Sequence, residues 1–495
     1  LKMAMTQKWR RWAGAGLLLG ALGWVGFSHP GQDLRYSPEE WESITVTRYV
    51  RSIAPGPRYV GVGTTGGFLV YDRLTGRWRN PLTRADGLPE NSVDRVALAT
   101  GGGFAVYTRR WVGLVEPSTR RLLPDPFLRT QPTGERRELP ANLYAGPGYQ
   151  YMADGRIAGP SGVIVPVMDA AEDDEAGLWV ATWGLGVGRA DLYSLRLEME
   201  PYGLWHSDVR ALALGPDILV AGGLGDAWSA GGITEWRFSE DRWSYMLAYD
   251  TPGLLSDRVT GLALDERKLW VAAEGGVSRC EAGGRWRTWT VKDGLPDGRT
   301  TAIAVGSGAA WVGTLSGAVA VAGDTVSALP LLAGRVVRDI AAGAGAVWWA
   351  TETGAHVYRG SWPDGTFFHL EHPEGRLDGQ VDAVGASGSE VWWVSSGGVV
   401  AYDSQQGVWL DVPGVGPFYP GEATDIAIDR ANVWITTTGG VWRLIREVGQ
   451  WHHYDEMDGL IDRRVWTVSV EGNVVWFGTA EGITRFDWSL RRRRP

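Results

Sequence analysis

Trp311-Val312-Gly313-Thr314 is the stretch that decides the fold, because the chain repeats it. Equivalent runs begin at Trp179 (WVAT), Trp270 (WVAA), Trp348 (WWAT), Trp392 (WWVS), Trp434 (WITT) and Trp476 (WFGT). A leucine version begins at Leu219 (LVAG), with weaker ones at Gly61 (GVGT) and Phe104 (FAVY). Most gaps are 40 to 44 residues, the length of one four-stranded propeller blade.

A second landmark fixes the register. Eleven residues before these anchors stand Val50, Val93, Val259, Thr300, Val337, Val381 and Val465. Six residues before many of those positions stands a glycine: Gly87, Gly203, Gly253, Gly294, Gly375 and Gly459. Gly203 leads to Val209, whose anchor Leu219 arrives one residue early. Each unit then reads as strands. An alternating run such as Val259-Thr260-Gly261-Leu262-Ala263-Leu264 has the period of a half-buried strand. A polar turn, the Trp-Val strand and a glycine-rich hairpin turn such as Ser396-Gly397-Gly398 follow. A third strand and a Trp-bearing fourth complete the unit. A lone sheet of this kind leaves both faces wet, so the units must stack around an axis.

The expected fold is therefore all-β: a β-propeller of four-stranded antiparallel blades over residues 44–490, with about ten or eleven repeat units. One large ring is the first choice, and two smaller propellers meeting in the irregular stretch 122–176 the alternative. The last unit lacks a fourth strand, whereas Trp41-Glu42-Ser43-Ile44-Thr45-Val46-Thr47 is a strand pattern without a blade. Residues 41–47 are expected to join the final blade as its outer strand, closing the ring and removing free edges.

Composition agrees with this. The chain has 495 residues, 70 glycines and 28 tryptophans, with 44% hydrophobic and 11% aromatic content. That excludes a mainly disordered chain, and glycine without a three-residue period excludes collagen. A formal charge of −9 argues against a nucleic-acid binder. The single cysteine, Cys280, cannot form an internal disulfide.

Residues 1–27 read as an N-terminal hydrophobic helix, either a membrane anchor or a signal segment. Lys8, Arg10 and Arg11 precede the uncharged stretch 12–27, which predicts a cytoplasmic start and an exported remainder at the bacterial inner membrane. Gly16 and Gly20 form a GxxxG pair suited to packing against another membrane helix, which favours a retained anchor. Residues 28–43 read as a linker with the start of the closing strand, and residues 491–495 as a basic tail.

The string Asp293-Gly294-Leu295-Pro296, followed by the valine-type strand, Trp-Val-Gly-Thr and Gly-Gly-Val, resembles the two-component regulator propeller repeats. Asp86-Gly87-Leu88-Pro89 and Asp458-Gly459-Leu460 fit the same pattern. The resemblance covers most of residues 50–490 and implies a periplasmic sensor-type β-propeller that detects ligands, often glycans. With no kinase or DNA-binding domain among these residues, a sensing role is expected to work through a separate partner.

Chemistry is sparse. No HExxH, GxSxG or P-loop string occurs, so neither catalytic residues, a cofactor nor a metal is expected. His369/His372 and His452/His453 read as surface histidines, and the acidic run Glu172 to Glu175 as a solvated loop in preference to a calcium site. Asp72-Arg73-Leu74-Thr75-Gly76-Arg77-Trp78 reads as a hairpin turn. Binding is expected at the mouth of the central channel. The residues just before the landmark valines, Asp208, Arg258, Arg299, Gln380 and Arg464, are expected to ring it, with Trp205 and His206 in a connecting loop.

The leading functional expectation is a non-catalytic, membrane-anchored interaction or scaffold subunit of a larger membrane complex, respiratory or photosynthetic for instance. Its partners are membrane proteins reached through the N-terminal helix and the propeller surface, with a small ligand or glycan possible at the channel mouth. The alternatives are a ligand-binding sensor propeller and a propeller-based hydrolase, lyase or dehydrogenase.

Overall fold

The computed structural model describes residues 40–130, 139–152, 154–160, 162–225, 230–266, 268–414 and 422–490. The hydrophobic stretch with Gly16 and Gly20 and the tail 491–495 lie outside them. Among the described residues no helix is long and apolar enough to cross a membrane. The described residues are all-β, and their ten sheets, antiparallel except where Tyr144–Ala145 runs parallel to Arg196–Glu200, match the expected number of units. Nine have four strands, and the sheet spanning residues 144–200 has seven.

The closing strand forms as expected, but it is shorter. Trp41–Ile44 pairs antiparallel with Gly482–Asp487, Trp41 opposite Phe486 and Ile44 opposite Ile483. Residues 45–47 leave the sheet: the Thr45 carbonyl accepts from Leu204 N and the Thr47 hydroxyl donates to the Tyr202 carbonyl. That departure decides the architecture.

Seven sheets close on one another. Their first strands, Val209–Gly215, Val259–Asp265, Thr300–Gly306, Val337–Gly343, Val381–Ser387, Ala423–Ile428 and Val465–Glu471, neighbour each other in that order, and Val465–Glu471 returns to Val209–Gly215. This closed cycle is consistent with a β-propeller. The remaining three sheets stand in a row beside it. There Ile164–Glu172 neighbours Val50–Pro55, which neighbours Val93–Leu98. The expected single ring of all ten units is thus replaced by a ring of seven and a row of three. The physical reason is that the chain seals the ring with Ile44, builds the row, and returns at Leu204 to start the ring's first sheet. Gly478 lets the two closing sheets approach, because a Cβ there would sit 2.8 Å from the Val209 carbonyl oxygen.

Tryptophan fills the spaces between sheets. Trp179, Trp311, Trp348 and Trp434 are fully buried. Trp311 meets Trp349 of the next sheet edge-on at 5.9 Å, Trp348 meets Trp393 at 5.6 Å, and Trp434 meets Phe477 at 5.9 Å. Trp476 completes the cycle by stacking against Phe238 at 5.9 Å. Each such pair adds about 0.5–1.5 kcal/mol beyond area burial. Row and ring share one core through Tyr71, Trp179, Tyr202, Trp243 and Trp476.

The Asp-Gly-Leu string is structural. Asp293 ends a short 3-10 turn, its carboxylate accepting from Thr290 N, and Gly294 follows at φ 112°. Leu295, like Leu88 and Leu460, then plugs the core. Only glycine holds such a left-handed φ without strain.

Candidate functional site

Every first strand in the ring carries a register shift just after its opening residue. The residue left unpaired is Arg210, Thr260, Thr301, Arg338, Asp382, Thr424 or Trp466. A bulge re-aims one side chain and tightens the local twist, which suits strands crowded about an axis. All seven line one channel of about 610 Å³ through the ring. In the row, the equivalent Arg51 and Asp94 pair with each other instead.

The channel wall is chemically mixed. The Arg210 guanidinium lies over the Trp466 ring and pairs with Asp208 at 2.9 Å. Thr260 and Thr300 share a hydroxyl–hydroxyl bond of 2.9 Å, and Thr424 donates to the Val465 carbonyl at 2.7 Å. The Gln380 amide donates to Asp382. Exposed Arg338 has no carboxylate partner among the described residues.

Below this layer sit Asp339 and Asp425, each one residue past the bulge. Asp339 accepts from its neighbour Ile340 N at 2.8 Å and from Val384 N of the next sheet at 2.9 Å. Asp425 does the same with Ile426 N and Val468 N, and also takes the Thr467 hydroxyl at 2.8 Å. Asp169 repeats the clasp in the row, reaching Ile53 N. These carboxylates capture backbone donors of neighbouring sheets, which would be costly to leave unpaired. Removal from water pushes Asp339 up to about 7, with the charge of Asp425 adding to the shift. Burial pushes Asp425 up to about 6, against the pull of Val468 N and Thr467.

The seven residues singled out from the sequence lie one step away. Asp208, Arg258, Arg299, Gln380 and Arg464 each immediately precede a first strand, at the end where the bulges lie. Arg258 pairs with Glu274, Arg299 with Asp297 and Arg464 with Asp462. Asp208 and Gln380 touch the channel layer through Arg210 and Asp382. Trp205 serves the ring-to-row crossing, whereas His206 contacts the ring's own first sheet. Arg48 stacks over Trp205 at 3.9 Å and donates to its carbonyl, while His206 Nε2 lies 3.1 Å from the Gly232 carbonyl oxygen. The bulge residues had a signal: directly after each landmark position stands Arg, Thr, Asp or Trp, chemically diverse where its neighbours repeat.

Other candidates resolve into structure. Asp173, Asp174 and Glu175 surround the buried side chain of Arg73, joining two sheets of the row. Asp72 accepts from Leu74 N within its hairpin turn. Among the described residues no group of three or more His, Cys, Asp or Glu is placed to hold a metal ion.

No family model and no curated protein matches the chain. Among solved structures it is similar to the extracellular domain of a hybrid two-component system from B. thetaiotaomicron, at 16% identity and TM-score 0.47, covering 89% of this chain and 62% of that one. It is similar to virginiamycin B lyase from Staphylococcus aureus at 15% identity and TM-score 0.44, covering 57% of this chain and 95% of the lyase. It is also similar to PorZ, a bacterial surface component of the type-IX secretion system of Porphyromonas gingivalis, at 10% identity and TM-score 0.33, covering 90% and 87%.

Proposed function

We propose that this chain is a non-catalytic, ligand-binding propeller of the sensor type, which takes a small polar ligand into the channel of its seven-sheet ring. One observation carries the reading: each ring sheet spends a bulge to place one side chain in the channel wall. A purely structural ring needs small or apolar residues there. This one presents two arginines, an aspartate, three threonines and a tryptophan, a concave set of convergent polar groups beside an aromatic face. The basic-flanked stretch 12–27 supports placing the propeller outside the cytoplasm.

The test is a thermal-shift screen of the full chain against sugars, amino acids and small carboxylates. Hits are titrated by calorimetry against Arg338→Ala and Trp466→Ala. At least one hit should lose about tenfold in affinity in either variant, a change of about 1.4 kcal/mol. Hits that bind both variants undiminished remove the channel from the proposal, and a hit recovered chemically altered removes its non-catalytic part.

A further inference from the structure

The row of three sheets ends differently on its two sides. At one end, the sheet of residues 144–200 covers its own outer face. Its three extra strands, Tyr144–Ala145, Gln150–Tyr151 and Arg156–Ala158, help to build a small core of Leu143, Ile157, Ala170, Leu178, Val180 and Leu197. At the other end stands the sheet of residues 93–124. Its inner face packs on the sheet of residues 50–82 through Val96, Phe104, Val106 and Val115. Among the described residues no sheet packs on its outer face, although Ala97 and Ala105 there are already buried.

Register gives the content of that face. Arg95 is opposite Tyr107, which is opposite Val112; Leu114 is opposite Leu123, and Glu116 opposite Arg121. The segment 125–130 crosses part of it, tied by the Ala99–Thr130 bridge, and leaves Phe127 89% exposed. Arg95, Arg109, Arg110, Arg121 and Arg129 are all exposed. None has a carboxylate partner among the described residues, although most of the other described arginines do. Residues 93–130 hold six arginines against three carboxylates. Residues 209–490, the ring, hold 35 Asp and Glu against 21 Lys and Arg.

The geometry points to this outer face as a docking surface for a second copy of the chain, which brings the acidic ring surface of one molecule against the basic end sheet of another. Its exposed apolar residues, Leu123 and Phe127, with the half-buried Tyr107, Val112 and Leu114, stand among these arginines, as at an interface. The acidic ring supplies the complementary charge. The contact joins two different patches, so it is head-to-tail and can build short oligomers as well as dimers. It uses no channel residue and is independent of ligand binding.

Sedimentation velocity of the full chain in a mild non-ionic detergent tests this. Association should grow with protein concentration and weaken when salt is raised from about 0.05 M to about 0.5 M. The triple variant Arg109→Glu/Arg121→Glu/Arg129→Glu should weaken it about tenfold or more. Phe127→Ser, at a side chain almost wholly in solvent, should weaken it with the thermal midpoint unchanged. A chain that stays monomeric throughout overturns the proposal, as does association that both variants leave intact. Binding of the monomer to phosphatidylglycerol vesicles through the same arginines also overturns it, making the face a membrane contact.

Discussion

The guanidinium carbon of Arg210 sits 3.5 Å from the centroid of the Trp466 ring, and the two residues belong to the first and last sheets of the ring. Each is the bulged residue of its strand, so one contact both spans the closure and forms part of the channel wall. Such a pair is worth about 0.5–1 kcal/mol where solvent reaches it and about 2 where it does not. Trp466→Ala should lower unfolding stability by about 1 kcal/mol in urea titration and cost more in ligand affinity than in stability. Equal affinity in wild type and variant would show that the pair is only a seam.

The channel carboxylates predict a pH dependence of stability. Asp339 and Asp425 are pushed up to about 7 and about 6 in the folded chain, above their unfolded values. Their contribution to stability is thus fully present below about pH 4 and is lost as pH rises through 6 and 7. Calorimetric midpoints should fall between pH 5 and pH 8, and Asp339→Asn should flatten that slope. A slope identical in wild type and variant would assign the effect to other groups.

Ring closure rests on Trp41, which is 4% exposed and stacks on Phe486 at 4.0 Å. Truncating a buried aromatic costs about 3–5 kcal/mol. Trp41→Ala should move the urea midpoint down sharply and release the closing strand, seen as early proteolytic cleavage near residues 40–48. Exposed Leu74→Ala, in the row, should change neither.

The crossing between ring and row depends on Arg48, which is nearly buried and donates to the carbonyls of Trp205 and Gly184. Gly184 N and Gly186 N in turn donate to the Arg48 carbonyl. Charged hydrogen bonds of this kind contribute about 1.5–3 kcal/mol. Arg48→Ala should speed amide exchange at residues 184–186 and 202–206 while leaving residues 309–351 protected. Uniform loss of protection would mean that ring and row unfold as one.

The repeat, its strands and the closing role of Trp41–Ile44 were legible because each depends on local pattern. Alternation, glycine at left-handed turns and tryptophan at fixed spacing are written residue by residue. The sequence pointed to the mouth of the channel and not to the side chains of its wall. Asp208 and Gln380 were marked for the mouth by their place before the strand, and the side chains that line the wall, Arg210 and Asp382, stand two positions on. A bulge shifts facing by one residue, and strict alternation cannot show where it occurs.

What the amino-acid order determined alone is the unit: four strands, a capped turn and an aromatic wedge, because neighbours a few residues apart impose them. How many units close together was decided by the tertiary structure. Residues 45–47 have strand character like 41–44, but Leu204, Tyr202 and the Gly66 carbonyl compete for their hydrogen bonds and win. Those partners are far away along the chain, so the division into seven and three follows from packing that only the folded molecule brings together.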